Sequence, residues 1–201
     1  SEIQSYFPWH CTFLNDANAG AFAEGIGSDL PSSFFYLSLS NTVGGAIFHD
    51  GNLLPGDAFR CGEAGHMTLI PDGKLCYCGK TGCVDAYCSA RLLSDLSGGR
   101  LEDFFLGLQK NNQEYRSVWD TYLKHLAVVI NNLHMILDYD IVLGGYVGSF
   151  LSPWLDTIRR MVAERNTFED DGSFVKLCTY QTGAAAYGAA MDVMEEFLRT
   201  V

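Results

Sequence analysis

One histidine and three cysteines are spaced to converge on a single metal ion. His66 is followed, after nine intervening residues, by Cys76, then by Cys78 and Cys83, with Gly79 and Gly82 inside the last interval. Zinc takes one imidazole and three thiolates in a closed tetrahedron, with sulfur at about 2.3 Å and nitrogen at about 2.0 Å. Glycine adopts positive φ without a steric penalty, so Gly79 and Gly82 let the chain turn back sharply enough for Cys83 to reach the same point as Cys76 and Cys78. Four protein ligands leave no open position for an activated water, so the expected role of the zinc is structural. The competing explanation is a set of reduced core thiols or a redox pair. A Cys-x-Cys lacks the two-residue gap of a dithiol redox motif, and scattered thiols do not account for a glycine-framed turn with an upstream histidine.

Such a loop needs a scaffold on both sides. Ahead of it, the stretch from Asn15 to Glu24 starts polar and becomes alanine-rich, so Asn15 or Asp16 caps a helix running through Phe22. Ser33 to Ser40 reads as a strand, Gly45 to His49 as its partner across the turn Asn41 to Gly44, and Asp50-Gly51 closes a second hairpin into Asn52 to Leu54. Pro55 to Gly82 is loop-like. Beyond it the period changes. Val84, Tyr87, Cys88 and Leu92 predict one helix, and Leu101, Phe104, Phe105 and Leu108 a second. The strongest helical signal spans Glu114 to Leu137, with apolar residues recurring at three and four from Val118 onward. A strand over Asp140 to Leu143 ends at Gly144-Gly145, and a helix through Trp154, Ile158 and Met161 follows. Then come a strand over Phe174 to Thr179 and a small-residue helix over Ala184 to Leu198. This alternation predicts an α/β domain with buried strands and no internal repeat. The aromatic group Tyr115, Trp119 and Tyr122 fits a core or an interface equally.

Bulk properties narrow the function. With 201 residues and 48% apolar content the chain can bury one sizeable core. A formal charge of −11 with no Lys/Arg run excludes nucleic-acid binding by these residues themselves. No apolar run approaches the ~20 residues of a membrane-spanning helix, and Ser1 to Pro8 has neither a basic start nor an apolar centre. A cytoplasmic protein without a membrane partner is expected. The seven cysteines agree: three are clustered, and Cys11, Cys61, Cys88 and Cys178 are scattered, which suits thiols and metal better than a disulfide framework.

Five segments, in order, resemble the ROK family of bacterial sugar kinases and sugar-responsive repressors. They are Asn15 to Ala19, Glu63-Ala64-Gly65-His66, Cys76 to Cys83, Leu143-Gly144-Gly145 and Gly183 to Ala190, the second and third being the most specific. The resemblance implies an actin-like, ribonuclease-H-like α/β fold with a mixed sheet flanked by helices and a zinc-bound loop. It makes Asp16 the base that takes the proton of a sugar 6-hydroxyl; the plain alternative for Asp16 is a helix cap. It places Asn15, Asp16, Glu63 and His66 against a monosaccharide or amino sugar, His66 binding zinc through one ring nitrogen and facing the sugar with the other. A solvated surface carboxylate is the alternative for Glu63. Where the family has a glutamate after the last cysteine this chain has Asp85, one methylene shorter, so that sugar contact is expected to be longer, water-bridged or lost.

The nucleotide side departs from the kinase pattern. The family's Gly-Thr-Gly is here Ser40-Asn41-Thr42, ahead of Gly44 and Gly45, and the third glycine after the later strand is Tyr146, behind Gly144 and Gly145. Those four retained glycines are the expected nucleotide-side contacts, and ATP with magnesium belongs only to a kinase. The substitutions add side chains where phosphates would sit. The resemblance therefore favours the sugar-sensing effector domain of a ROK-type regulator, with the sugar-binding lobe of an ATP-dependent hexose or amino-sugar kinase as the alternative. A zinc-stabilised module without a ligand is a third class. Residues 1–201 then correspond to a C-terminal portion, homo-oligomeric as family members commonly are. The family's N-terminal lobe, and any helix-turn-helix through which DNA would be bound, have no counterpart in the sequence.

Overall fold

A computed structural model describes residues 2–9 and 11–200; Ser1 and Val201, the expected domain limits, and His10 lie outside the described residues. The chain forms five strands, β1 Phe34–Leu39, β2 Val43–His49, β3 Asn52–Leu53, β4 Asp140–Gly144 and β5 Val175–Leu177. They form one sheet in the order β3-β2-β1-β4-β5. β1 pairs antiparallel with β2 and parallel with β4, and β4 pairs parallel with β5. The helices are α1 Asp16–Gly27, α2 Asp85–Cys88, α3 Arg91–Ser94, α4 Leu101–Gln109, α5 Gln113–Leu137, α6 Gly145–Gly148, α7 Leu155–Ala163 and α8 Ala184–Thr200. This is the expected mixed α/β architecture. Among the described residues no helix is long and apolar enough to cross a membrane.

β1 is buried along its whole length because both faces are covered. Successive side chains alternate, so Phe34 and Tyr36 enter one core with Phe22 of α1, whereas Phe35, Leu37 and Leu39 enter the other with α4, α5 and α7. On the first face α1 and α8 touch backbone to backbone: a Cβ at Gly188 would lie 1.7 Å from the Ala19 carbonyl oxygen. On the second, Trp119 is fully buried and stacks on Tyr122 with ring centroids 5.2 Å apart. These two aromatics are core, not interface. Tyr122 also donates its hydroxyl to the Cys88 carbonyl at 2.7 Å, tying α5 to the segment after the cysteine cluster.

Four elements differ from expectation. The helix predicted through Val84 and Leu92 is broken into α2 and α3, because Ser89 is extended and the Ala90 amide donates to the Ser40 carbonyl at 2.7 Å. The helix predicted through Trp154, Ile158 and Met161 is regular only from Leu155, because Trp154 closes a 3-10 turn, Ser152–Trp154, started by Pro153. β5 is shorter than Phe174 to Thr179, since the Thr179 and Tyr180 amides turn away from the sheet to Glu24. α1 runs past Phe22 to Gly27.

Candidate functional site

The cysteine loop is knitted by its own backbone. Cys76 donates to the Lys80 carbonyl at 2.8 Å, Gly79 to Cys76 at 3.0 Å and Gly82 to Lys74 at 2.8 Å. Gly79 and Gly82 have φ of 83° and 81°, and a Cβ at Gly82 would lie 1.9 Å from the Ile70 carbonyl oxygen. This folding brings one donor atom from each of His66, Cys76, Cys78 and Cys83 within 4.8 Å of one another. The Cys78 and Cys83 sulfurs are 3.8 Å apart. A tetrahedron with zinc–sulfur arms of about 2.3 Å has an edge of about 3.8 Å, so the donor set fits zinc in chemistry and spacing. Burial and the adjoining thiols push the Cys83 thiol up to about 11, whereas a hydrogen bond from the Lys80 amide lowers Cys78. A divalent cation reverses the first effect by stabilising thiolates.

His66 closes a 3-10 turn, Ala64–His66, that packs against the start of β2: a Cβ at Gly65 would fall 2.0 Å from the Val43 carbonyl oxygen. The Tyr77 hydroxyl sits 3.2 Å from His66 Nε2, with Asp85 and Glu63 close enough to raise its pKa after burial has done so first. His66 thus has a tyrosine beside it that residue spacing alone does not point to, whereas Glu63 is exposed and lines a separate cavity with Met67, Leu133 and Ile136. Asp85 is buried, and its Oδ1 accepts the Val43 amide at 2.6 Å. Its pKa is raised by burial, against which the Val43 hydrogen bond and the nearby His66 and Arg91 work. One carboxylate oxygen is therefore committed to holding β2.

Asn15 is the cap of α1: its Oδ1 accepts the Ala17 and Asn18 amides at 2.9 and 3.2 Å, a contact worth about 1 kcal/mol. Asp16 is the first helical residue and is exposed. Its carboxylate meets the Ala17 amide at 2.9 Å and lines a cavity of about 120 Å³ with Tyr36, Ser38, Ser40, Gly145 and Tyr146. Gln181 and Thr182, in the turn before α8, also line it. Next to it lies a cavity of about 270 Å³ that includes Asn41, Glu102 and Phe150, and Tyr146 and Thr182 line both. Both cavities reach the carboxyl ends of the parallel strands β1 and β4, the usual place for a ligand crevice in such sheets.

The four glycines divide. Gly145, with φ of 75°, lines the Asp16 cavity, and its amide works to lower the pKa of the Tyr36 hydroxyl. At Gly144 a Cβ would lie 2.1 Å from that hydroxyl. Gly45 instead packs against the Gly62 carbonyl, 2.5 Å from its would-be Cβ, and Gly44 against Ala17. The start of β2 is therefore a common wall. Val43 grips Asp85 and Gly65 on the zinc side, and Gly44 abuts the residue after Asp16 on the other. Beneath the cavity, burial raises the Tyr36 hydroxyl well above its ordinary range, with the charges of Cys178, Glu24 and Asp16 adding to it.

The sequence model of the ROK family matches residues 1–196. The chain belongs to the ROK family. The N-acetylmannosamine kinase of Salmonella typhi is 30% identical over 188 residues, which cover 89% of this chain and 62% of that protein. A ROK family glucokinase from Streptomyces griseus, solved with glucose and AMPPNP, matches with a TM-score of 0.80 and 22% identity over 94% of this chain and 70% of its own. A ROK family transcriptional regulator, a homolog of the E. coli MLC protein, matches with a TM-score of 0.68 and 21% identity over 88% of this chain and 50% of its own. The two structures bear on the fold, which they share with this chain. The chain spans less than two thirds of the length of the N-acetylmannosamine kinase.

Proposed function

We propose that these residues are the sugar-binding, zinc-stabilised portion of an ATP-dependent ROK kinase acting on a hexose or an amino sugar. The observation that carries the reading is the position of Asp16. An exposed carboxylate at a helix start opens onto a space lined by the hydroxyls of Ser38 and Ser40 and by the Gly145 backbone. A base there accepts the proton of a sugar hydroxyl, and a phosphoryl group fits among the hydroxyl and backbone groups facing it. Asn15, Glu63 and His66 are the proposed sugar contacts, with Asp85 acting chiefly by fixing β2 beside them. His66, Cys76, Cys78 and Cys83 would hold zinc, which supplies rigidity to the loop carrying His66. The identity to an N-acetylmannosamine kinase supports the reading. It reverses the preference that the sequence alone gave to a regulator.

A second reading, a sugar-sensing domain of a ROK regulator, is favoured by one feature. Tyr146 stands between the two cavities, and Ser40 lines the smaller one where the kinase pattern has glycine. The deciding experiment is phosphoryl transfer from ATP by the full-length protein, assayed with glucose, N-acetylglucosamine and N-acetylmannosamine. Turnover that Asp16→Asn abolishes supports the kinase. Sugar binding by calorimetry without turnover supports the sensor, and an absence of both leaves the zinc module.

A further inference from the structure

The cavity that Asp16 lines is built from distant parts of the chain. Asp16 opens α1, whereas Gln181 and Thr182 belong to the turn between β5 and α8. Glu24, two turns along α1 from Asp16, is fully buried in a helix whose other buried residues are Ala, Gly and Phe. Its Oε1 accepts the Thr179 amide at 2.7 Å and the Tyr180 amide at 2.9 Å. Its Oε2 is buried and has no hydrogen-bond partner among the described residues. The Tyr180 hydroxyl adds a second tie, donating to the Gly27 carbonyl at 2.7 Å. The next residue, Gln181, has φ of 48°, a left-handed conformation that costs a non-glycine residue free energy unless its neighbours hold it.

Burying a carboxylate and leaving one oxygen unpaired is expensive, and an apolar side chain would stabilise α1 better. The carboxylate is therefore explained by what it holds. It ends β5, captures both amides before the strained residue, and so sets where Gln181 and Thr182 point. We infer that Glu24 is a positioning residue that locks the Thr179–Thr182 turn to the helix carrying Asp16, fixing where Gln181 and Thr182 stand relative to the base across the cavity they share. The inference rests on the kinase reading for its functional consequence, and on geometry alone for the lock.

The test uses the full-length protein and compares wild type with Glu24→Ala, Glu24→Asp and Glu24→Gln. Alanine removes the acceptor, aspartate keeps the charge but falls a methylene short, and glutamine keeps a carbonyl oxygen in place for both amides. In the Ala and Asp variants, amide exchange at Thr179 and Tyr180 accelerates by about tenfold or more, and KM for ATP rises by a similar factor with a fall in kcat. The dissociation constant for the sugar, measured without nucleotide, stays within about twofold. Glu24→Gln restores both readouts most of the way. Unchanged exchange in the Asp variant overturns the lock, as does a sugar affinity that drops in step with KM for ATP, which would mark a merely structural residue. If the wild type shows no ATP turnover, the kinase reading falls, and the exchange rates still decide whether Glu24 holds the turn. If Glu24→Ala does not fold, Glu24→Asp and Glu24→Gln decide.

Discussion

The zinc loop and the Asp16 cleft are built on opposite plans. All four donors of the candidate zinc cluster lie from His66 to Cys83, and the geometry is enforced by hydrogen bonds within that loop and by two left-handed glycines. The cleft is assembled from α1, β1, the start of α6 and the turn before α8, so its walls are separated by as much as the distance from Asp16 to Ala185 in sequence. A local site is specified by spacing and donor chemistry. A distributed one is specified by packing, and a residue that sets it, such as the buried Glu24, need not line it.

That contrast is open to attack. The largest effect should come from the local site. Cys83→Ser or chelation is expected to reduce bound zinc from one equivalent to well below half and to abolish sugar binding, because a zinc cluster contributes on the order of 10 kcal/mol of apparent binding free energy. Circular dichroism should meanwhile keep most of the helical signal, since α5 and α8 do not include the loop. Loss of the whole helical signal would show that loop and sheet fold as one. Next, Asp16→Asn should lower kcat by about 10²- to 10⁴-fold with sugar affinity nearly unchanged, the usual span for removing a general base. A parallel loss of affinity would make Asp16 a sugar ligand first. Gly82→Ala comes third. The added Cβ would meet the Ile70 carbonyl at a left-handed position, and a loss of about 1–3 kcal/mol in thermal or denaturant stability is expected, with weaker zinc retention. The smallest effect concerns His125, which burial and Lys74 hold below the ordinary imidazole pKa beside the Tyr87 ring. A depressed histidine favours the folded state above its unfolded pKa, so its contribution is lost as pH falls from about 7 toward the lowered value. Melting curves of His125→Asn should show a shallower decline over that window than wild type.

The sequence was most legible where period or donor spacing is local. The helix expected over Glu114 to Leu137 is found at Gln113–Leu137, because its apolar residues recur regularly enough to define one buried side. The Asn15 cap and the two hairpins follow from local turn chemistry in the same way. What could not be read depends on a partner far along the chain. The break between α2 and α3 answers to the Ser40 carbonyl, and the end of β5 answers to Glu24, 155 residues from Thr179. A glutamate set among Ala, Gly and Phe was the available hint of the second. For Tyr77, its place between two cysteine ligands was the hint, and its contact with His66 required the folded loop. Two of the expected nucleotide-side glycines, Gly44 and Gly45, have their close neighbours in the protein itself.

The peptide units at Val43 and Gly44 have a practical corollary. They press on the histidine turn from one side and on the helix bearing the carboxylate from the other, so a displacement of the strand would reach the four donor side chains. Cobalt loaded into the cluster should then change colour when the crevice fills, giving an optical gauge of occupancy.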